Sequence, residues 1–511
     1  MTSIGRFQRL EDLALPLALI VQAGLLFYHL ELLPVWGDEQ FTLNVVRLPW
    51  AEIPAVLQAD IHPPVYYLLA KSWTLIPWPW ELITQLRAFS AGICLVSTVV
   101  VYRLWLDEAE YSTCYWFLAL WAISPTLLMY SRMARSYSLQ LLVATIAFYC
   151  AARFLESPRN RRKLASYVIA AAALLYTHYL PGIAVAAATG FLLLLTAIRT
   201  KDRTLIRPLL LSNLGIALFY APWIPTLVSA VGRVPGADPY YLLSGFLLET
   251  VVKLAYLFMS FNFGEAFPLW SITLGAILGS GLLWLLWKGL RERPPWLTHI
   301  AIVALIAYLG AAAWVAFPFI GARLLFLLPL YLLWLLTGRA RTPIAGSVIC
   351  AGMLVVSLGS LSAYYGKANF LNQGYLVPFD EIAAVITAEP ASADIIVLID
   401  GYNTDPAPLL VSLEGKLPLV RIRDDASQAE ARAAIEGGNF RKVWFLRNAH
   451  DISPGGVLTQ LEAAAAERYE SAKHHYVPFS PMDQWVASRL GRAEATHHYQ
   501  MTEFSRREAV P

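Results

Sequence analysis

Residues 63–80 read PPVYYLLAKSWTLIPWPW, apolar enough to pass for a membrane helix yet carrying Lys71 near the middle, three tryptophans and four prolines. Whether this stretch crosses a membrane decides the orientation of everything after it. Eleven other runs reach the roughly 20 apolar residues that a spanning helix needs, near 13–33, 86–106, 112–130, 136–155, 163–180, 182–198, 208–230, 266–287, 297–316, 320–337 and 343–363. If 63–80 does not span, the linkers holding Arg153/Arg159/Arg161/Arg162/Lys163, Arg199/Lys201/Arg203/Arg207, Lys288/Arg291/Arg293 and Arg339/Arg341 share the side of Arg6 and Arg9. That is the positive-inside pattern, and a spanning 63–80 would reverse it. The stretch is therefore expected to be an interfacial or re-entrant helix on the outer face, with Trp73, Trp78 and Trp80 at headgroup level.

The composition agrees with a polytopic membrane protein. Of 511 residues 57% are hydrophobic and 15% charged, against about 25% charged in soluble domains, and the mean hydropathy is +0.52. The net charge of +3 comes from 39 basic and 36 acidic residues, with no Lys/Arg tract interleaved with aromatics, so nucleic-acid binding is excluded as a reading. Cys94, Cys114, Cys150 and Cys350 all sit in apolar runs and read as packing residues, not as a disulfide framework or zinc site. The first run lacks a small-residue cleavage site and reads as a retained signal anchor, which puts the N-terminus in the cytoplasm.

Beyond about residue 364 the pattern changes. Strand-like runs at 393–400, 417–422 and 442–448 alternate with helical patterns near 379–389, 405–414, 427–437 and 456–470. This predicts a small α/β domain with a parallel or mixed sheet at 366–511, outside the membrane, after a membrane domain at 1–365. No G-x-G-x-x-G or Walker pattern follows its strands. His474/His475 and His497/His498 read as solvated pairs in a polar tail rather than metal ligands. No internal repeat of the secondary-transporter kind is seen.

With eleven spans, the outer segments are 34–85, 131–135, a turn near 178–181, 231–265 and 317–320, and these carry the candidate chemistry. WGDEQFTL places Asp38 and Glu39 just beyond the first helix, either as a solvated helix start or as an acid–base pair. ADIHPPVYYLLAK (59–71) presents Asp60 and His62 before paired prolines that favour a helix start, with Tyr66 following. SRMARSYSL (131–139) places Arg132 and Arg135 at i and i+3, followed by Tyr137. On one helical face the two arginines can grip a phosphate, the other reading being snorkelling to lipid headgroups. His178 in YTHYLPG and Arg323 in FPFIGARLLFLLP recur at the same depth. Arg323, a few residues inside a spanning segment, calls for an anionic partner. Together these residues form an acid–base pair beside a cationic cradle, suited to a lipid-linked phosphate whose head is handled in water.

This pattern resembles the protein O-mannosyltransferase superfamily of GT-C glycosyltransferases, whose bacterial relatives move sugars from polyprenyl phosphate onto lipid A or other envelope acceptors. The resemblance rests on Asp38–Glu39, the D-x-H-P-P motif (Asp60, His62, Pro63, Pro64), the S-R-x-x-R-like turn (Arg132, Arg135), T-H-Y at 177–179 and G-A-R-L-L-F-L-L-P at 321–329, and covers roughly residues 1–365. One departure is that the lipid A aminoarabinose transferases carry Lys-Pro where this chain has His62–Pro63, so donor and acceptor are not copied from them.

The resemblance implies a multi-pass protein of the bacterial inner membrane with its active site and C-terminal domain in the periplasm. Its partners would be a polyprenyl-phosphate-linked sugar donor, a lipid, glycan or protein acceptor, and membrane lipids. Transfer would invert the anomeric carbon, with Asp38 as general base and Arg132, Arg135, His62 and Arg323 on the leaving phosphate. Glu39 and Asp60 would orient the acceptor or the basic groups. No nucleotide or redox cofactor is implied; Asp38, Asp60 and His62 could ligate a divalent cation, but no tight metal site is expected. The competing readings are a flippase or transporter of lipid-linked glycans, a non-catalytic envelope scaffold, and a ligase or polymerase using a diphosphate-linked donor.

Overall fold

The computed structural model describes residues 3–60, 62–106, 109–233, 246–292, 295–314, 321–388, 395–400, 407–413, 415–422, 425–437, 440–448, 457–479, 484 and 497–506. The expected outer segment 317–320 lies outside the described residues. The chain packs as two units, residues 1–30 with 42–366 and residues 31–41 with 367–511. Residues 31–41, expected in the first domain, thus pack with the second.

The first unit is helical. After α1 (Ser3–Phe27) come α2 (Gly37–Arg47) and two short helices, α3 (Ile53–Ala59) and α4 (Val65–Trp73). α4 is the helical part of the 63–80 stretch. Its nine residues rise only about 13 Å, well short of the ~30 Å hydrocarbon layer, so α4 alone does not cross a membrane. Lys71 Nζ donates to the carbonyls of Val46 (2.9 Å) and Leu48 (2.5 Å), matching its charge to the carbonyl end of α2. The three tryptophans stack in sequence, Trp73 on Trp78 at 4.7 Å and Trp78 on Trp80 at 5.3 Å between ring centroids.

The unit continues through α5 (Leu82–Trp105), α6 (Tyr111–Ala122), α7 (Pro125–Ser131), α8 (Tyr137–Glu156), α9 (Arg161–Thr177), α10 (Tyr179–Thr200), α11 (Ile206–Tyr220), α12 (Ile224–Arg233) and α13 (Phe246–Phe263). It ends with α14 (Leu269–Glu292), α15 (Pro295–Trp314), α16 (Gly321–Leu324), α17 (Leu328–Ala340) and α18 (Pro343–Tyr365). Among the described residues, seven stretches are long and apolar enough to cross a membrane: α5, α8, α10, 203–229, 273–291, 321–340 and α18.

Eleven were expected, and the four other runs are helical as well. The run at 112–130 divides into α6 and α7, bent by 50°, and makes an eighth span if counted as one. Pro125 forces Ser124 into an extended conformation (φ −60°, ψ 116°), and the Ser124 hydroxyl then accepts from the Leu127 N–H to start α7. α9 is 17 residues long and opens on Arg161-Arg162-Lys163. The runs at 13–33 and 297–316 fall in α1, of 25 residues, and α15, of 20. In addition, α13 is an 18-residue helix inside the segment expected to be an outer loop at 231–265. Between helices, the Trp121 indole donates to Thr98 (2.8 Å), Thr98 to Gln22 Oε1 (2.7 Å) and Gln22 to Cys94 Sγ (3.6 Å), tying α1, α5 and α6 by hydrogen bonds.

The second unit carries a five-stranded sheet of order β2-β1-β3-β5-β4. Its elements run α19 (Phe379–Thr387), β1 (Ile395–Asp400), α20 (Ala407–Leu413), β2 (Leu419–Ile422), α21 (Asp425–Glu436), β3 (Lys442–Asn448), α22 (Val457–Arg468), β4 (Tyr469–Pro478) and β5 (His497–Arg506). β1 pairs in parallel with β2 and β3, whereas β5 runs antiparallel to β3 and β4 to β5. The alternation of the strands separates two cores. Ile395, Val397, Ile399, Trp444 and Leu446 pack with α19 and α20, while Ile396, Leu398, Val443 and Phe445 pack with α21 and α22. Burial on both faces explains why β1 reads as an unbroken apolar run.

The expected polar tail is two paired strands instead. His474 and His475 lie on β4 opposite Met501 and Gln500, and His497 faces Pro478. His498 is buried, which corrects the solvated reading for that residue, whereas His475 is exposed and His474 and His497 are half-buried. β5 was hidden from hydropathy because its buried positions include His498, Gln500 and Thr502. These are satisfied internally: Gln500 donates to Thr502 (2.9 Å), Thr502 to Glu462 (3.4 Å), and Glu462 pairs with Arg447 at 3.0 Å.

Candidate active site

In the first unit, the chain leaves α3 at Asp60, whose extended backbone (φ −106°, ψ −172°) stops the helix, and re-enters α4 after Pro63–Pro64. Between them His62 is held on both ring nitrogens. Its Nδ1 lies 3.1 Å from Asp60 Oδ1 and its Nε2 2.7 Å from an Arg135 terminal nitrogen. A guanidinium can only donate, so Nε2 accepts and Nδ1 carries the proton that it gives to Asp60. His62 in this arrangement is a neutral link from a carboxylate to an arginine. The other terminal nitrogen of Arg135 donates to the Tyr67 hydroxyl (3.0 Å). Tyr66, expected to bind substrate, is fully buried and shares a hydrogen bond with Ser90 (3.0 Å), which in turn donates to the Arg135 carbonyl (3.4 Å). Side chain and backbone of Arg135 are thus both fixed, at 5% exposure.

His178 lies between α9 and α10, where its extended backbone ends one helix and begins the next. Its pKa is lowered to about 3 by burial first and then by the nearby charges of Arg323 and Arg135. It therefore stays uncharged at physiological pH, and the charges of Arg323 and Arg135 both reach it. Its buried Nδ1 meets no hydrogen-bond partner among the described residues. Arg323 is half-buried on α16, and its carbonyl accepts from Gln140 Nε2 (2.8 Å). The positive charges of Arg135 and Arg323 beside an uncharged imidazole make a place for an anion.

Arg132 does something else. Residues 132–136 form a turn, not a helix, so the i, i+3 spacing does not align the two arginines. One Arg132 terminal nitrogen donates to the carbonyls of Leu25 (2.7 Å), Leu26 (3.3 Å) and Tyr28 (2.6 Å), and the other to that of His29. The guanidinium also lies against the rings of Tyr364 and Tyr365, 5.4 and 5.0 Å from their centroids. Arg132 thus closes the C-terminus of α1, where carbonyls lack helical partners and the dipole favours a cation. Arg132→Ala is expected to lower stability by about 2–4 kcal/mol, since a buried charged donor set is removed from four acceptors. Unfolding of the purified protein checks this, and an unchanged midpoint with weakened donor binding would return Arg132 to a ligand role.

Tyr137, also expected to contact substrate, is buried in an edge-to-face pair with Tyr130 (5.6 Å). Asp38 and Glu39 occupy the first turn of α2 and pack with the second unit. Asp38 is half-buried and Glu39 fully buried. Among the described residues, no three His, Cys, Asp or Glu side chains gather to hold a metal ion.

Two elements of the site escaped sequence reasoning. Tyr67 and Ser90 carry no motif, although Tyr67 adjoins the D-x-H-P-P turn. Glu265, in FNFGEAFP, is 3% exposed and accepts from Tyr256 (2.6 Å) and Ser260 (3.1 Å). The one available signal was a lone acid within an apolar run.

No family model and no curated protein matches the chain. Solved structures do. The crystal structure of ArnT from Cupriavidus metallidurans in the apo state superimposes with a TM-score of 0.55 at 13% identity, covering 96% of this chain and 97% of that one. ArnT from the same organism bound to undecaprenyl phosphate gives 0.50 at 14% identity, over 98% of each chain. The Archaeoglobus fulgidus oligosaccharyltransferase in the apo form gives 0.50 at 12% identity, over 91% of this chain and 73% of that one. At these identities the likeness is one of fold: the chain shares its architecture with ArnT and with the oligosaccharyltransferase.

Proposed function

We propose that this chain is an inverting glycosyltransferase that moves a sugar from a polyprenyl-monophosphate donor to a lipid, glycan or protein acceptor at the outer face of the bacterial inner membrane. The observation that carries the reading is an uncharged His178 near the charges of Arg135 and Arg323, its buried Nδ1 meeting no hydrogen-bond partner among the described residues. Such a cluster suits an incoming phosphate, which brings both negative charge and hydrogen-bonding oxygens. In support, one solved structure of this fold is described as bound to undecaprenyl phosphate.

In the proposed step an acceptor oxygen attacks the anomeric carbon opposite the phosphate, and the bond from that carbon to the phosphate oxygen breaks with its electron pair on the phosphate. Arg135 and Arg323 meet the charge that develops there, where fixed donors are worth most. Neutral His62, oriented by Asp60, holds Arg135 in place. Asp38 takes the acceptor's proton. Glu39, with no exposure, orients the first turn of α2 and does not itself meet substrate. The phosphate is a competent leaving group, so the reaction calls for no nucleotide.

Mass spectrometry of lipids and glycoconjugates from cells with and without the gene tests the reading. Transfer predicts one sugar missing from an envelope component and its monophosphate-linked donor accumulated in the outer leaflet. Donor trapped intact in the cytoplasmic leaflet would replace transfer by flipping, and an unchanged profile of both would leave a scaffold.

A further inference from the structure

The connection between α13 and α14 holds a carboxyl group that the step above does not use. Glu265 is buried where α7, α13 and α16 converge. Tyr256 and Ser260 donate to it; burial pushes its pKa up, opposed by these two hydroxyls and by the nearby Tyr130 and Gly321 backbone. Two glycines make this convergence feasible. A Cβ on Gly321 would stand 2.4 Å from Ser260 Oγ and 2.9 Å from Glu265 Oε1. Gly264 has a left-handed φ of +80°, and a Cβ there would come within 2.6 Å of Pro125 Cβ. Ser260 is itself fixed, its carbonyl accepting from the Thr126 hydroxyl.

The Gly321–Ala322–Arg323 segment is consequently clamped at both ends. Glu265 Oε1 lies against Gly321, 2.9 Å from where a Cβ would stand, and Gln140 donates to the carbonyl of Arg323 (2.8 Å). Gly321, Ala322 and Leu324 are buried while Arg323 is half-buried, so Arg323 is the residue of the segment whose side chain reaches out of the packed interior. A carboxyl buried at 3% exposure and held by two hydroxyl donors is costly to keep for packing alone.

We propose that Glu265 is a positioning residue, which fixes the 321–323 turn so that Arg323 meets the phosphate of the lipid-linked donor. The inference rests on the reading of Arg323 as a phosphate-binding group. Glu265 does not touch the reacting atoms; it acts through the backbone that carries Arg323.

The test is the affinity of the purified full chain, in lipid nanodiscs, for undecaprenyl phosphate. Glu265→Ala and Arg323→Ala are each expected to weaken binding about tenfold, the scale of one lost charge-assisted contact. Because both act on one group, the double variant should lose no more than Arg323→Ala alone. Glu265→Gln keeps a side chain of the same size against Gly321, while the Tyr256 and Ser260 hydroxyls can turn to accept from its amide, so it should stay within about threefold of the unaltered chain. Should Glu265→Ala fail to fold, Gly321→Ala disturbs the same turn from the other side and is expected to weaken binding likewise. Losses that multiply in the double variant, or a Glu265→Ala chain that binds as the unaltered one does, overturn the positioning role alone. No binding by the unaltered chain overturns both that role and the donor reading beneath it.

Discussion

Arg135→Ala should lower sugar transfer by about 10²–10³-fold, the usual cost of removing one fixed donor from a developing charge. The expectation follows from how firmly this side chain is held. One terminal nitrogen is fixed by His62 and the other by Tyr67, while Ser90 holds the backbone carbonyl. Arg135→Lys should rescue little, because one ammonium on a flexible stem cannot reproduce the forked contact with His62 and Tyr67. His62→Ala should cost less, roughly tenfold, since it removes the support of Arg135 and not the charge. Steady-state kinetics on the purified chain check this through the donor KM against the acceptor KM. An unaltered donor KM and kcat in Arg135→Ala would remove the arginine from the phosphate, and equal weakening for donor and acceptor would make it a structural group.

Asp38→Asn is expected to leave expression and folding intact while lowering kcat by about 10²–10⁴-fold, the range for loss of a general base. The substitution keeps the size of the side chain and removes only its capacity to take a proton. Asp38 is half-buried in the first turn of α2, where the amide also satisfies the helix terminus, so a stability loss is not expected to confuse the measurement. Single-turnover transfer with preloaded donor isolates the chemical step. Wild-type rates there would exclude Asp38 as the base and send the search to another carboxylate.

Much of this was legible in the linear chain because the forces concerned are local or compositional. Hydropathy identifies the membrane class, and the alternation of apolar and polar runs beyond residue 364 identifies an α/β domain. The D-x-H-P-P turn brings Asp60 and His62 together over two residues, and the structure joins them at 3.1 Å. Prolines and charges at the ends of apolar runs were harder to weigh. Ser124–Pro125 bends the 112–130 run by 50°, and the basic start of α9 shortens its apolar length.

Other features had no local signature at all. β5 is buried yet rich in polar residues, because its partners Glu462 and Arg447 lie far away in sequence. Glu265 gains its meaning from Tyr130, Tyr256 and Gly321, up to 135 positions removed. Arg132 and Arg135 look equivalent on paper. They part company because residues 132–136 turn instead of continuing a helix, so one guanidinium finds the open carbonyls of α1 and the other finds His62.

The sequence by itself determined that this is a membrane-embedded chain with an appended α/β domain, and it named most of the residues that carry charge at the candidate site. Only the tertiary structure decided which partner each of those charges finds, the carbonyls of α1 for Arg132 and His62 with Tyr67 for Arg135. The reason is physical: hydrophobic burial and helix periodicity are summed along the chain, whereas a hydrogen-bond partner for a buried guanidinium or carboxylate is supplied by whichever distant segment folding brings within about 3 Å.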